Sequence, residues 1–289
     1  MKIKITTDST ADWSEELIQK YDIKVIPLLV NLGDDLLPDD GILINPDMIY
    51  DHVAKTKQLP KTSAINSEQY REYFQAIFDE GYDAIIHFNL SGEMSVTHQN
   101  AKMLMEEMPN LFVVDSRTLS TATALEAIYA RELANTEKYT AKEIFEKVEA
   151  RKEFAQASFI IDRLDYLHKG GRCSTIALLG ANLLHIKPSI EVHNGKMGVG
   201  KKYMGKYDKC VLKYVEEILK RYPNYDPARC FITHTKIDPE IVENIKEYLK
   251  ANTTFEEIIE TNAGATITSH CGPNTIGILF WTDGKKNDE

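Results

Sequence analysis

The sequence predicts an α/β protein of two domains: a mainly parallel-sheet α/β/α domain over residues 1–155 and an α+β domain over residues 156–289. Three observations carry this. The first half alternates short apolar runs with stretches of helical periodicity, separated by polar turns. From about residue 156 the apolar runs shorten, and an Asn194-Gly195 hairpin signal joins two of them. The length, 289 residues, suits two cores better than one.

Residues 2–6 (KIKIT) form the first expected strand. A helix follows with Trp13, Leu17 and Ile18 on one face and Ser9, Thr10 or Asp12 available as its cap. Residues 23–32 (IKVIPLLVNL) read as one strand that Pro27 places at an edge or a bulge. Asn45-Pro46 opens a helix carrying Met48, Ile49 and Val53. A polar linker leads to a helix over 68–80, with Tyr70, Phe74, Ile77 and Phe78 on one face and Gly81 after it. DAIIHFNL (83–90) and LFVVDS (111–116) are buried strands on either side of a helix over about 95–107. In the second half ASFIID, HIKPSIEVHNG, KMGVGKKY, CFITHT, FEEIIET and TIGILFW read as strands, with helices over 207–222 and 238–251. In open α/β sheets ligands bind beyond the carboxyl ends of the strands, which singles out the turns Thr7 to Thr10, Leu90 to Thr97 and Asp115 to Thr123.

A formal net charge of −10 argues against a nucleic-acid groove or a standing place on an anionic membrane; membrane contact would be transient at most. No apolar leader and no run of about 20 apolar residues is present, so a cytoplasmic protein is expected. Four cysteines without a C-x-x-C pair read as free thiols, with Cys173 and Cys271 either reactive beside Arg172 and His270 or simply buried. The histidines lack metal-ligand spacing, and no phosphate-cradling glycine loop follows a strand, so neither a metal nor a cofactor is expected.

Four polar stretches remain: Thr62-Ser63, residues 89–97 (NLSGEMSVT), Gly170-Gly171-Arg172, and residues 269–273 (SHCGP). Each has an ordinary structural explanation. Ser91 and Ser95 can cap a helix, Gly170-Gly171 can end one, His270 can be a solvated loop residue, and Asp8 and Asp115 can make Asx turns. Each also has a functional one. Helix-start N–H groups and hydroxyls suit a carboxylate, and glycines without Cβ atoms allow a ligand close to the Arg172 guanidinium. A hydrolase or transferase using Ser91 or Ser95 with His270 is the competing reading, although the G-x-S-x-G elbow lacks its first glycine.

Taken in order along the chain, these stretches resemble one family, the DegV proteins, also called FakB-type fatty-acid-binding proteins. The resemblance rests on Thr7-Asp8-Ser9-Thr10, Val25-Ile26-Pro27-Leu28, Thr62-Ser63, SGEMSVT (91–97), VVDS (113–116), IDRLDYLHKGGRCS (161–174), LLHIKP (183–188), HCGP (270–273) and GILF (277–280). It implies the two-domain fold, with a Rossmann-like N-terminal half, and a non-enzymatic monomer that holds one long-chain fatty acid, such as palmitate, stearate or oleate, in an apolar tunnel between the domains. It also implies a partner, a FakA-type fatty-acid kinase that phosphorylates the bound carboxylate on the way to phospholipid synthesis. By motif, Thr62, Ser63, Ser91, Gly92 and Ser95 look like carboxylate binders, and Arg172 and His270 like the charged groups at the mouth. The family's second serine is Gly92 here, its glycine before the threonine is Val96, the Gln-Pro of T-S-Q-P is Ala64-Ile65, and its hairpin arginine is Met204.

Overall fold

A computed structural model describes residues 1–176 and 186–286. Leu183, Leu184 and His185 of the LLHIKP motif lie outside the described residues. Three sheets organise the described residues. The first is parallel throughout, in the order β2-β1-β6-β7 (Ile23–Ile26, Ile3–Asp8, Ala84–Asn89, Leu111–Asp115). The second is a six-stranded mixed sheet, β10-β9-β8-β13-β11-β12 (Lys196–Met204, Ile186–His193, Ala155–Ile161, Thr275–Thr282, Tyr225–His234, Glu257–Asn262), antiparallel except where β11 and β12 run together. Both match the α/β expectation.

The third sheet, β4-β3-β5 (Asp35–Pro38, Leu29–Leu32, Lys61–Ser63), was not anticipated. Pro27 lacks the N–H a ladder needs, so the run read as one strand breaks there into β2 in the parallel sheet and β3 in the small one. The supposed linker around Thr62 is β5, with Thr62 opposite Val30.

Several helices start where local chemistry dictates. Ser14, not Ser9, Thr10 or Asp12, caps α1 (Glu15–Tyr21), because Asp8 has already closed a 3-10 turn over Ser9–Ala11. Asn45 caps α2 (Pro46–Thr56) and Asn66 forms a capping box with Gln69 on α3 (Ser67–Asp79). The helix expected over 95–107 is the shorter α4 (Thr97–Lys102) running into a 3-10 turn. Sequence reading omitted α5 (Thr121–Asn135) and α6 (Ala141–Arg151). Residues 121–128 of α5 are all buried, so no polar face marked it. The main apolar cluster runs from Ile5, Ile86 and Phe88 through Leu125 and Ile128 of α5 to Ala157, Phe231 and Leu279 of the second sheet. In the second half, α7 (Leu164–Gly170), α8 (Tyr207–Arg221), α9 (Pro239–Asn252) and α10 (Ala265–Cys271) complete the set.

Candidate binding site

The carboxyl ends of β1 and β6, the 116–120 loop, β5, α7 and α10 converge on a cavity of about 440 Å³. Its apolar wall is Leu28, Leu90, Met94, Leu119, Leu167 and Ile267. Leu119, Ile267 and Cys271 also line a small recess of about 30 Å³ beyond it, against Phe159, Gly277 and Leu279 of the second sheet. The polar rim is Thr10, Thr62, Ser63, Ser95, Thr266, Arg172 and His270. Hydroxyls and aliphatic side chains share its lining, so the cavity is amphipathic.

His270 is on the last turn of α10, not in a loop as its small neighbours suggested. Seven residues rich in Thr and Ser carry little helical signal, and what fixes α10 comes from far away. Asp39 accepts the Ala265 and Thr266 N–H groups at 2.8 and 3.0 Å, and Asp12 accepts that of Gly264 at 2.8 Å. These acceptors satisfy N–H groups that the first turn of the helix leaves without partners. Burial, with the nearby Asp39 and Asp8 charges adding, pushes the Asp12 carboxyl up to about 8. At the other end Gly272 takes φ +70, and a Cβ there would lie 2.7 Å from the Tyr166 ring, which accounts for the glycine of HCGP.

Thr62 Oγ1 and His270 Nε2 share a hydrogen bond of 2.9 Å. His270 therefore pairs with neither Ser91 nor Ser95, and the nucleophile–base couple of the hydrolase reading is not formed. The other ring nitrogen, Nδ1, is buried without a partner. A Cβ on Gly170 would lie 2.6 Å from it. The two glycines thus do different things: Gly171, at φ +71, ends α7, and Gly170 makes room for the imidazole. Arg172 is exposed, folds back so that Nη1 donates to the Gly170 carbonyl at 2.6 Å, and still reaches the cavity rim.

Gly170→Ala is expected to displace the His270 ring and break its bond to Thr62 while leaving the fold intact, since the clash is with a movable side chain and not with backbone. Loss of a Thr62–His270 contact in the variant's crystal structure, with unfolding shifted by less than about 1 kcal/mol, is the outcome that checks it. Burial, aided by the Arg172 charge, lowers the His270 pKa from its ordinary 6.5 to about 4. The unfolded chain then binds this proton more readily than the folded one, so stability is full above 6.5 and falls as pH drops toward 4. Thermal unfolding followed from pH 7 to 5 should show a smaller acid loss in His270→Gln than in the parent.

The serines behave less uniformly than their motif suggested. Ser91 does not line the cavity; its hydroxyl donates to the Gly195 carbonyl at 2.8 Å, across the β9–β10 turn. Ser95 and Ser63 line it, with their oxygens accepting from Thr97 N and Asn31 Nδ2 at 3.3 and 3.1 Å. Neither serine caps α4, whose N-cap is Val96 with no side-chain bond. Gly92 lines the cavity, yet its N–H is held by Asp115 Oδ1 at 3.0 Å, and a Cβ there would approach the same carboxylate to 3.1 Å. Asp115 also accepts from Arg117 N, as an Asx turn does.

Sequence reading did not single out the network beneath this loop. Asp8 is fully buried; Oδ1 accepts from both the N–H and the hydroxyl of Thr10, and Oδ2 accepts from Asn89 Nδ2 at 3.2 Å and Leu90 N at 2.9 Å. Asn89 donates onward to the Tyr70 hydroxyl, which bonds Thr97. Asp8 was visible as the end of a strand, but its partners 81 and 82 residues away were not. All four cysteines are buried and unpaired; burial pushes the Cys271 thiol up to about 12. Among the described residues no cluster of three or more His, Cys, Asp or Glu is placed to hold a metal ion. No described helix is long and apolar enough to cross a membrane.

The fold and the slot define an α/β protein of a parallel and a mixed sheet with an amphipathic cavity. The chain belongs to the DegV family of uncharacterised proteins, whose sequence profile matches residues 2–283. It is 32% identical over 285 residues to a fatty acid-binding protein of Thermotoga maritima, covering 96% of each chain. Its backbone is similar to the crystal structure of a DegV lipid-binding protein from Thermotoga maritima, with a TM-score of 0.85, 29% identity and coverage of 99% of this chain and 100% of that one. It is also similar to a stearic acid-binding protein of Eubacterium ventriosum, with a TM-score of 0.80, 25% identity and coverage of 97% and 98%.

Proposed function

We propose that this protein is a fatty-acid carrier, holding one long-chain acid with its tail along Leu90, Leu119, Leu167 and Ile267 and toward the recess by Phe159, between the 1–155 and 156–289 halves. The carboxylate sits at Thr62, Ser63, Ser95 and the Gly92 turn, with Ser91 bracing that turn through Gly195. The observation that carries this reading is the amphipathic slot, a cavity lined by several hydroxyls together with Leu28, Leu90, Met94, Leu119, Leu167 and Ile267. A carboxylate leaving water needs such donors, and each buried CH₂ contributes about 0.8 kcal/mol. The fatty-acid-binding proteins to which the chain is similar support the ligand class. Exposed Arg172, beside His270, would then meet the phosphorylated head group or the partner kinase.

The test is to purify the protein natively, denature it, and identify the released lipid by mass spectrometry. Stoichiometric fatty acid is expected; a protein that emerges empty and takes up no added oleate overturns the reading. Thr62→Val should weaken retention about tenfold, by loss of one hydrogen bond to a charged group. Arg172→Ala should keep its lipid but be a poor kinase substrate. Equal lipid loss in both variants would refute that division of roles.

A further inference from the structure

Consecutive residues of one loop serve two cavities. Leu119 lines the slot described above, whereas Arg117 and Thr118 line a separate cavity of about 360 Å³. Its other walls include Gln156 of β8, His193 before the β9–β10 turn, Tyr222 and Lys286. Three buried polar atoms on these walls have no hydrogen-bond partner: Thr118 Oγ1, Gln156 Oε1 and Arg117 Nε. Thr118 and Gln156 are only 3% and 6% exposed. Leaving buried donors and acceptors unpaired is costly, and native proteins seldom do it in one place three times over.

The charges around them are partly committed. Glu191 is held by Arg221 at 2.7 Å and by His193 at 3.0 Å. Glu153 lies 2.8 Å from Arg117 Nε, though not along its N–H direction. Lys286 stands over the Tyr222 ring at 5.5 Å. Arg117 itself is held at φ +53, an uncommon conformation for a residue with a side chain. An occupant that satisfies the unpaired atoms must bring a hydroxyl that donates to the Gln156 carbonyl oxygen, and an anionic group on it would meet Lys286 and the Arg117 guanidinium, which has Glu153 on one side.

We propose that this cavity binds a small hydroxylated phosphate monoester, its phosphate at Arg117 and Lys286 and its hydroxyls at Thr118 and Gln156. The site is wired to the loop at the first cavity. The Thr118 carbonyl accepts the Ser91 N–H at 3.0 Å, and the Ser91 hydroxyl donates to Gly195, next to Asn194 of the second cavity's wall.

The Ser91 amide is therefore the reporter. Titrating the whole protein with glycerol 2-phosphate should move its NMR resonance saturably, with an affinity at least about tenfold better than that for inorganic phosphate or for glycerol. Thr118→Val removes a hydroxyl that bonds nothing in the protein, so it should fold normally and bind the probe several-fold more weakly. Lys286→Gln, at an exposed position, should do the same. Absence of binding up to tens of millimolar, a probe bound no better than inorganic phosphate, or unchanged binding in both variants would each overturn the assignment. None of these outcomes depends on whether the first cavity holds a fatty acid.

Discussion

Gly277→Ala is expected to be among the most destabilising single substitutions in the molecule, by about 3 kcal/mol or more. Gly277 lies in β13, between β8 and β11, where a Cβ would lie 2.4 Å from the Ser158 carbonyl oxygen and 3.0 Å from Phe159 Cβ. The first contact is with backbone, so relief requires β8 and β13 to part. The opposing strand is pinned in turn, since Ser158 O and Oγ both bond the Tyr214 hydroxyl of α8. Urea unfolding of parent and variant measures the loss; a variant within about 1 kcal/mol of the parent would mean that the sheet yields more easily than its packing suggests.

Asp8→Ala is expected to cost a comparable amount and to act on the binding site through Thr10 and Leu90. Four donors converge on its carboxylate, and removing it leaves the N–H groups of Thr10 and Leu90 buried without their acceptor, at about 1–3 kcal/mol each. Burial raises the Asp8 carboxyl's pKa against the pull of its four donors. Thr10 and Leu90 both line the slot, so the surviving folded protein should also hold lipid less well. Parallel measurement of unfolding and of lipid retention separates the two effects. Retention unchanged in the folded fraction would confine Asp8 to stability.

The strands of the parallel sheet were legible because each is a short apolar run followed by a polar turn, and the turns chosen for inspection do furnish Thr10, Leu90, Gly92 to Val96 and Leu119 to the slot. The motif around Gly170 was visible as a helix end. That Gly170 accommodates His270 was not, because the imidazole arrives from 100 residues further on. Likewise nothing near Ser91 in sequence announces that its hydroxyl is taken by Gly195. Helix α5 escaped notice for the opposite reason: local signal depends on contrast between faces, and its first eight residues are buried on every side. Short-range chemistry thus showed which residues are polar and where the chain turns, while the pairing of those polar groups is a property of the tertiary fold.

The position of α5 bears on how a ligand could ever enter. Its residues touch β1 and β6 on one side and β8 and β13 on the other, within a single apolar cluster. Two sheets joined by a bolt of this kind cannot swing apart like the halves of a clamshell without tearing their common interior. Whatever gives way to admit a ligand must therefore lie outside that cluster, and every residue lining the slot does, the 90–96 turn and α10 as much as β5 and α7.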